Sequence, residues 1–385
     1  MRSTGYGRDR GELRPRLSGL LLAAALALSS LCAAGGQFSL SQPLTLRWQY
    51  LSERTLNLTP AIDGEQVYLP LAAGALVSLH TGDGQLLWKA ETGGELSAAP
   101  VADEHNVYVA SQILETPRGT PPHASGTLRA LGRASGVALW EQVFASPLRG
   151  SLAESSTTLF AGDADGHVYA VSKETGEIRW TSRFPTPFSS APVLKEGRLY
   201  IGGEDGTLWA LDEMTGRTLW YYRTHGALRG PVALAPPLVC VGSADGFVYA
   251  LDERDGHLRW RARTGAGVEA VLSTEKGLIA VSLDNFVYFL SLRHGERVWK
   301  HLLAGRVVAQ PLAVSGGVLF APLSGDACVV LDLRDGKQIN TLPVGEDNNT
   351  AAAPVRAGNL LLVTTRRGLL AFAPPVSPAR ATPAS

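Results

Sequence analysis

The sequence predicts an all-β fold, an eight-bladed β-propeller of four-stranded antiparallel blades, from three observations. Tryptophan recurs at nearly fixed intervals along the 385 residues. Each interval contains four short apolar runs separated by turn residues. The chain ends on an incomplete repeat whose missing strand is found near its beginning. A repeat of about 40 residues is typical of propeller blades and outweighs every other feature of the sequence.

The tryptophan spacing defines the repeat. Successive intervals are 40, 52, 40, 40, 40 and 39 residues, and Ile339 lies 40 residues after the last tryptophan of the series. The series is Trp48, Trp88, Trp140, Trp180, Trp220, Trp260 and Trp299. A ligand site does not need one copy in every blade. We therefore expect each tryptophan to be a large apolar plug between blades.

Residues 191–223 show the four runs of one repeat: APVL, RLYIG, TLWALD and TLWYYR. They are joined by Glu196-Gly197, Asp205-Gly206 and Thr215-Gly216. Short runs of this composition with such two-residue turns predict antiparallel hairpins, and glycine supplies the positive φ that the turns need. The last turn recurs at Gly82, Gly136, Gly176, Gly216, Gly256, Gly295 and Gly336.

The two ends of the repeat region predict how the ring closes. Seven complete units lie between residues 59 and 344, and an eighth begins at Ala353 but stops before its fourth strand. The segment Leu44–Leu51 carries a fourth-strand tryptophan with no strands before it. We expect this strand to complete the last blade, because closure removes exposed sheet edges. The predicted domain is a single propeller over residues 44–375.

Residues 1–34 have the pattern of a signal peptide. The apolar run Leu17–Leu28 is preceded by Arg8, Arg10, Arg14 and Arg16, is too short to span a membrane, and is followed by small residues. Cleavage after Ala34 would release the protein into the periplasm. In the alternative, Cys32 is lipidated and anchors the protein to the outer membrane. Residues 376–385 are predicted to be a disordered tail.

Composition excludes some partners and pairings. The chain has 35 basic and 35 acidic residues, so it lacks the basic footprint of a nucleic-acid-binding protein.

Cys240 and Cys328 fall in the fifth and seventh units. Blades that are not neighbours cannot bring two cysteines within bridging distance. We expect two buried thiols.

The repeat G-x-x-D-G-x-h-[YW]-A-L-D-x-x-[TD]-G-x-x-x-W, as in Gly202–Trp220 and Gly242–Trp260, resembles the pyrroloquinoline-quinone (PQQ)-type propeller repeat. From Leu44 to about Pro374 the chain is most similar to the BamB family of outer-membrane assembly lipoproteins. The resemblance implies a scaffold without catalytic residues or cofactor. It also implies a monomer, within a complex, that binds the barrel-assembly machinery through loops between blades.

In that family, a Leu-Arg-Gly stretch after a tryptophan strand belongs to the partner surface. This chain has two such stretches, and both are predicted to contact a protein partner. They are Leu148, Arg149 and Gly150, and Leu228, Arg229 and Gly230. The family's acidic loop on the next blade is missing, because Phe184–Ser190 and Thr264–Val268 contain no aspartate.

Two alternatives remain open from the sequence. A quinone-dependent dehydrogenase resembles this repeat but carries an adjacent cysteine pair and calcium ligands, and no Cys-Cys pair occurs here. A carbohydrate- or small-molecule-binding propeller would gather exposed aromatics, and the best local pair, Tyr221 and Tyr222, faces opposite sides of one strand. The Pro-rich segment Gln112–Ser125 is predicted to be an exposed surface loop that could carry recognition.

No catalytic or metal site is predicted. The eight histidines occupy unrelated positions within their repeats, and none is spaced as a ligand partner of a cysteine or carboxylate. Neither a nucleophile elbow nor a phosphate-binding loop occurs in the sequence.

Overall fold

The computed structural model describes residues 38–52, 55–115, 123–346, 348 and 350–375. Within these ranges the backbone forms eight sheets, each a meander of antiparallel strands. The only helical turn described there is a 3₁₀ turn at Ala72–Gly74. The predicted all-β, eight-bladed propeller is confirmed. The signal peptide, Cys32 and the tail of residues 376–385 lie outside the described residues, and their assignments stay predictions.

We letter the strands of each blade A to D in chain order. Blade 1 contains β2 (Ala61–Asp63), β3 (Gln66–Leu71), β4 (Ala75–His80) and β5 (Leu86–Glu91). In blade 2, strand A is divided into β6 (Glu95–Leu96) and β7 (Val101–Ala102), followed by β8 (Asn106–Glu115), β9 (His123–Gly132) and β10 (Ala138–Phe144). Blade 3 contains β11 (Leu148–Glu154), β12 (Thr158–Asp163), β13 (His167–Ser172) and β14 (Ile178–Arg183). Blade 4 contains β15 (Val193–Lys195), β16 (Arg198–Gly202), β17 (Thr207–Asp212) and β18 (Thr218–Arg223).

The second half of the ring repeats this order. Blade 5 contains β19 (Ala233–Ala235), β20 (Leu238–Gly242), β21 (Phe247–Asp252) and β22 (Leu258–Arg263). Blade 6 contains β23 (Val268–Thr274), β24 (Gly277–Ser282), β25 (Phe286–Leu290) and β26 (Arg297–Leu302). Blade 7 contains β27 (Leu312–Val314), β28 (Gly317–Phe320), β29 (Ala327–Asp332) and β30 (Gln338–Pro343). Blade 8 contains β31 (Val355–Ala357), β32 (Leu360–Thr365), β33 (Gly368–Ala373) and β1 (Thr45–Leu51).

The hydrophobic core lies between blades rather than within one of them. Each cluster of buried side chains joins strands of two neighbouring blades. For example, Phe160 of blade 3 packs in one cluster with Leu199 and Ile201 of blade 4. Strand alternation exposes both faces of a single blade, so a blade can bury its apolar side chains only against its neighbours. The predicted buried thiols are confirmed, since Cys240 and Cys328 are free and burial raises the pKa of each to about 12.

The repeated tryptophans fill these layers, which confirms their predicted role. In every case the indole N–H donates to a backbone carbonyl of the next blade, at 2.7–3.1 Å. The ring lies against the C–D turn glycine of that blade, where an added Cβ would come within 2.4–2.6 Å of it. Each such glycine has a positive φ. The tryptophan and the glycine therefore form one inter-blade contact repeated around the ring.

Two assignments in this series are wrong in register. In blade 1 the turn residue is Gly84 rather than Gly82, because only Gly84 has a positive φ and packs under a tryptophan ring, that of Trp48. In blade 7 the tryptophan position belongs to Asn340 rather than Ile339. Asn340 pairs with Val330, as Trp260 pairs with Ala250, and it follows Gly336 by four residues.

Asn340 performs the indole's hydrogen-bonding role with a different acceptor. Its Nδ2 donates to the carbonyls of Leu40 and Gln42, at 3.1 and 2.8 Å. The N-terminal segment therefore occupies the place where blade 8 would otherwise present a C–D turn. Phe38 and Leu40 are buried there, between blades 7 and 8.

The ring closes as predicted. Strand β1 pairs with β33 from Thr45↔Ala373 to Leu51↔Gly368, which gives blade 8 its fourth strand. Trp48 carries the inter-blade contact onward to blade 1 by donating to the carbonyl of Thr81 at 2.9 Å. The two ends of the chain are thus joined by a full strand pairing and by the same contact that links the other blades.

A pair of glycine substitutions tests the inter-blade contact. Gly295→Ala should lower the free energy of unfolding by about 3 kcal/mol, because an added Cβ would lie 2.4 Å from the Trp260 ring at a φ of +71°. Gly316→Ala meets no atom within 4 Å at a φ of +83°, so it should cost only the backbone term of about 1 kcal/mol. Urea unfolding of the two variants measures the difference. Equal losses would show that backbone conformation, and not the tryptophan contact, selects glycine.

In the part of the chain described, no helix has the length and apolar character that a membrane crossing requires.

Candidate protein-binding surface

The meander sorts the connections between two faces of the ring. Successive antiparallel strands reverse direction, so the B–C turns and the D–A connectors between blades lie on one face, which we call the connector face. The A–B and C–D turns lie on the other, which we call the turn face. Both Leu-Arg-Gly stretches follow a D strand and therefore belong to the connector face.

Threonine hydroxyls fix several connectors to the B–C turns. Thr224 Oγ1 donates to the carbonyls of Gly206 and Gly226, at 2.9 and 2.8 Å. Thr92 and Thr264 make the same pair of contacts in blades 1 and 5. With their backbone groups paired in this way, these connectors present side chains from a fixed main chain.

The Leu-Arg-Gly stretches occupy a position that recurs in every blade from 2 to 7. A buried apolar residue comes first, an outward residue follows, and a small residue ends the triplet. The buried members are Leu96, Leu148, Phe188, Leu228, Val268 and Val307. The outward members are Arg149, Ser189, Arg229, Glu269 and Val308, whereas the equivalent Ser97 of blade 2 is buried. The small members are Ala98, Gly150, Ser190, Gly230, Ala270 and Ala309.

Only the arginine of each stretch is therefore open to a partner. Leu148 and Leu228 are 0% and 1% exposed, so neither can be the apolar anchor beside its arginine that the sequence suggested. Gly150 and Gly230 lie where blades approach closely, since an added Cβ would be 2.6 Å from the Ser190 carbonyl oxygen and 2.2 Å from that of Glu269. The two arginines lie in blades 3 and 5 and are not brought together.

Arg229 is neutralised within the protein. Its Nε donates to Glu204 Oε2 at 3.2 Å, and Glu204 belongs to the B–C turn of the preceding blade. The Ser189 hydroxyl donates to the other oxygen of the same carboxylate. Half of the Arg229 side chain is exposed, at 52%, so this is a surface ion pair.

Arg149 lacks the corresponding carboxylate. The position equivalent to Glu204 in blade 2 is Gln112, since each follows the paired tyrosine of its B strand (Tyr200 or Tyr108) by four residues. Gln112 and Arg149 line the same groove. Among the side chains that the structure describes, no carboxylate forms an ion pair with Arg149. Arg149 is thus a half-buried cation next to a neutral amide.

The groove beside Arg149 is built by an extended hairpin. The predicted loop Gln112–Ser125 is largely a continuation of β8 and β9, paired as far as Glu115↔His123, and only residues 116–122 lie outside the described residues. The hairpin leaves the blade at Gly126, where an added Cβ would be 2.6 Å from the Ser146 carbonyl oxygen. Its base therefore lies against the connector that carries Arg149.

We call this depression the connector groove. Its volume is about 510 Å³. It is lined by Gly93, Gly94, Glu95, Gln112, Ile113, Leu114, Ala124 and Arg149. Ile113 and Leu114 are 39% and 68% exposed and, as consecutive residues of β8, face opposite sides of the hairpin. They supply exposed apolar surface at the groove, whereas Leu148 is buried. Glu95 is engaged elsewhere, because its Oε2 accepts the backbone N–H of Ala73 at 3.0 Å.

Aspartates of the B–C turns accept hydrogen bonds from tyrosine side chains, which the sequence analysis did not predict. Tyr249 donates to Asp245 at 2.7 Å and Tyr288 donates to Asp284 at 2.6 Å. Burial and the adjacent carboxylate together raise the pKa of both tyrosines. Each aspartate also accepts backbone N–H groups of its turn. These carboxylates hold the turns in place, and the spacing of four residues from Asp to Tyr is the signal that could have identified them.

On the turn face, blades 2 and 3 are joined by a buried lysine. The Lys173 ammonium lies 3.0 Å from Asp103 and 2.5 Å from Glu154, and its side chain is 9% exposed. Burial by itself would raise the pKa of Asp103, but backbone N–H groups and Lys173 hold it below its ordinary value. The lysine is fully engaged by its two carboxylates, so the contact links blades and leaves no free cation for a ligand.

Over the described residues, no three His, Cys, Asp or Glu side chains are grouped so that they could hold a metal ion. His80 and His167 each contact one aspartate, at 2.8 and 3.0 Å. Tyr221 and Tyr222 face opposite sides of β18, as predicted: Tyr221 is 68% exposed and Tyr222 is packed against Tyr249.

Comparison with known proteins agrees with this architecture. The family model described as outer membrane protein assembly factor BamB matches residues 41–115, 124–234 and 224–377. The crystal structure of BamB from Moraxella catarrhalis is similar, with a TM-score of 0.72 and 17% identity, over 86% of this chain and 99% of that one. The quinohemoprotein alcohol dehydrogenase of Comamonas testosteroni gives a TM-score of 0.69 and 13% identity, over 91% of this chain and 79% of that one.

A computationally designed protein, Ika8, is also similar, with a TM-score of 0.73 and 17% identity over 85% of this chain and 99% of that one. No curated protein sequence matches the chain. At these identities the structural likenesses establish the propeller fold alone. The family model covers most of the chain, including both Leu-Arg-Gly stretches. The chain therefore belongs to the family of the outer membrane protein assembly factor BamB.

Proposed function

We propose that this protein is a non-catalytic scaffold of the bacterial envelope that binds a protein partner on its connector face. Its partner is the machinery that assembles outer-membrane β-barrels, and its place is the periplasm, where Cys32 can anchor it to the outer membrane. Family membership supports the protein-binding role. The observation that carries the choice of surface is the connector groove, where Arg149 is half-buried, forms no ion pair with a described carboxylate, and lies in the same lining as the exposed Ile113 and Leu114.

A rigid ring suits this role physically. The connector that contains Gly93 and Gly94 of the groove is held by the Thr92 hydroxyl, so it does not have to be ordered when a partner binds, which reduces the entropy lost on binding. Arginine beside exposed apolar side chains has the composition of an interface anchor.

The proposal is tested by affinity capture from envelope extract with the full-length protein and its Arg149→Ala/Arg229→Ala variant. We expect the wild-type protein to recover barrel-assembly subunits, identified by mass spectrometry, and the double variant to recover at least tenfold less. Both arginines are at the surface, so the variant should unfold at nearly the wild-type temperature. Failure of the wild-type protein to recover any of these subunits would contradict the assembly role.

The quinone-dependent alternative is kept because quinohemoprotein dehydrogenases share the fold. It is tested by titrating the protein with pyrroloquinoline quinone and calcium and following the quinone absorbance. Saturable binding at micromolar quinone would replace the scaffold proposal with a cofactor-binding one.

A further inference from the structure

The two arginines provide a comparison within one chain. Both occupy the outward position of the repeated triplet at the start of a blade. Arg229 pairs with a carboxylate of the preceding blade, Glu204, whereas at the equivalent position Arg149 shares the connector groove with an amide, Gln112. The protein thus pairs one of these cations internally, whereas no described carboxylate forms an ion pair with the other, beside a groove.

The surroundings of Arg149 make its charge available to a ligand. The side chain is half-buried, so water screens its positive charge less than that of a fully solvated arginine. Part of its desolvation has also taken place on folding. Glu95, a carboxylate of the same groove, is held by the backbone N–H of Ala73. Arg129, the neighbouring cation, is paired with Glu141 at 2.7 Å.

Exposed apolar side chains line the same groove as this charge. Ile113 and Leu114 extend from the blade on the hairpin, where β8 has no A-strand partner beyond Gln112. Gly93 and Gly94 also line the groove. An added Cβ on Gly94 would be 2.4 Å from the Gln112 carbonyl oxygen and 2.9 Å from Ile113 Cγ1, so the backbone of Gly94 lies directly against the hairpin. The groove therefore offers one cation, an exposed apolar side chain at Ile113 and a stretch of backbone without side chains.

We infer that the connector groove binds an extended segment of the protein partner that carries a carboxylate next to a large apolar side chain. The carboxylate replaces, at Arg149, the ion pair that Glu204 supplies to Arg229, and the apolar side chain packs against Ile113, which adjoins Gly94 of the groove. This inference rests on the proposed function, for which it specifies the chemistry of the partner. A guanidinium and a carboxylate form a charge-assisted pair, which is stronger than a hydrogen bond between neutral groups.

The test uses fluorescence polarisation with three labelled, blocked octapeptides of Ser/Thr background. One carries a Leu-Asp pair, the second has Leu-Asn, and the third has Ala-Asp. We expect the Leu-Asp peptide to bind the full-length protein about tenfold more tightly than either of the others. Raising the salt concentration from 0.1 to 1 M should reduce this preference, because the pair is partly exposed.

Matched protein variants locate the effect. Gln112→Glu gives Arg149 the internal carboxylate that Arg229 has, and it should weaken Leu-Asp binding about tenfold, as Arg149→Ala should. Arg217→Ala, at an exposed arginine of the C–D turn of blade 4 on the turn face, should leave binding unchanged, and thermal unfolding of each variant checks that it is folded. Absence of binding, equal binding of the Asp and Asn peptides, or equal losses in Arg149→Ala and Arg217→Ala would overturn the inference.

The two proposals fail in different ways. If Gln112→Glu recovers barrel-assembly subunits from envelope extract as well as the wild-type protein does, the scaffold role stands and the groove chemistry is overturned. If the wild-type protein recovers none of them but retains acid-dependent peptide binding, the assembly role is overturned and the groove chemistry stands.

Discussion

A chain that begins at Thr55 should fail to form a stable monomeric ring, unlike a chain that begins at Gly35. The shorter chain lacks β1 and the segment that buries Phe38 and Leu40. Loss of β1 exposes the edge of β33, whose sequence GLLAFA is buried along its whole length. An apolar strand with a free edge is a template for pairing with another chain, so we expect oligomers and aggregates.

Size-exclusion chromatography with light scattering and thermal unfolding measure this outcome. A matched chain that ends at Pro375 should behave as the full-length protein does, because it removes no described strand. Adding a synthetic peptide of residues 38–52 should restore the monomer, whereas the same peptide with Trp48→Ala should restore it poorly. A stable monomer from the chain that begins at Thr55 would show that the seam contributes little to the ring.

Trp260→Ala should lower the free energy of unfolding by about 3–5 kcal/mol, the range for removing a large buried aromatic side chain. The indole is 8% exposed, and its N–H donates to the Leu292 carbonyl at 2.8 Å. Truncation leaves a cavity between blades 5 and 6 and one carbonyl without its donor. Urea unfolding measures the loss.

Leu258→Ala is the matched control for Trp260→Ala. Leu258 lies two residues earlier on the same strand, but it is 41% exposed, so its truncation should cost about 1 kcal/mol or less. Similar losses for the two variants would contradict the role of the tryptophan as the inter-blade plug. An added Cβ at Gly295 would meet the Trp260 ring. Gly295→Ala should therefore lower the free energy of unfolding less in the Trp260→Ala variant than in the wild-type protein.

The blades could be predicted because their determinants are local. Turns such as Asp205-Gly206 and Thr215-Gly216 specify hairpins over a few residues, and the alternation of the flanking runs specifies which side chains face a neighbouring blade. The recurrence of these signals at one period then fixed the number of blades. Ring closure could be predicted by counting strands. The last repeat lacks a D strand, and the isolated strand Leu44–Leu51 supplies one.

Register and pairing were less predictable where the repeat is irregular. The interval from Trp299 to Asn340 is one residue longer than a strict 40-residue repeat, so counting from Trp299 selected Ile339. The proline-rich composition of residues 112–125 indicated a loop, yet backbone pairing as far as Glu115↔His123 extends the blade 2 hairpin. Local composition does not show whether two strands continue to pair beyond the edge of their sheet.

For the candidate site, the sequence by itself determined that two Leu-Arg-Gly stretches exist and that each follows the fourth strand of a repeat. The structure places the first at the start of β11 and the second in the connector before β19. Only the tertiary structure decided that Leu148 and Leu228 are buried, that Arg229 is paired with Glu204, and that Arg149 is not paired in this way. The physical reason is that burial and ion pairing depend on the preceding blade, whose turn lies about 25 residues earlier in the chain for Arg229. Identical triplets therefore acquire different chemistry from their neighbours in the ring.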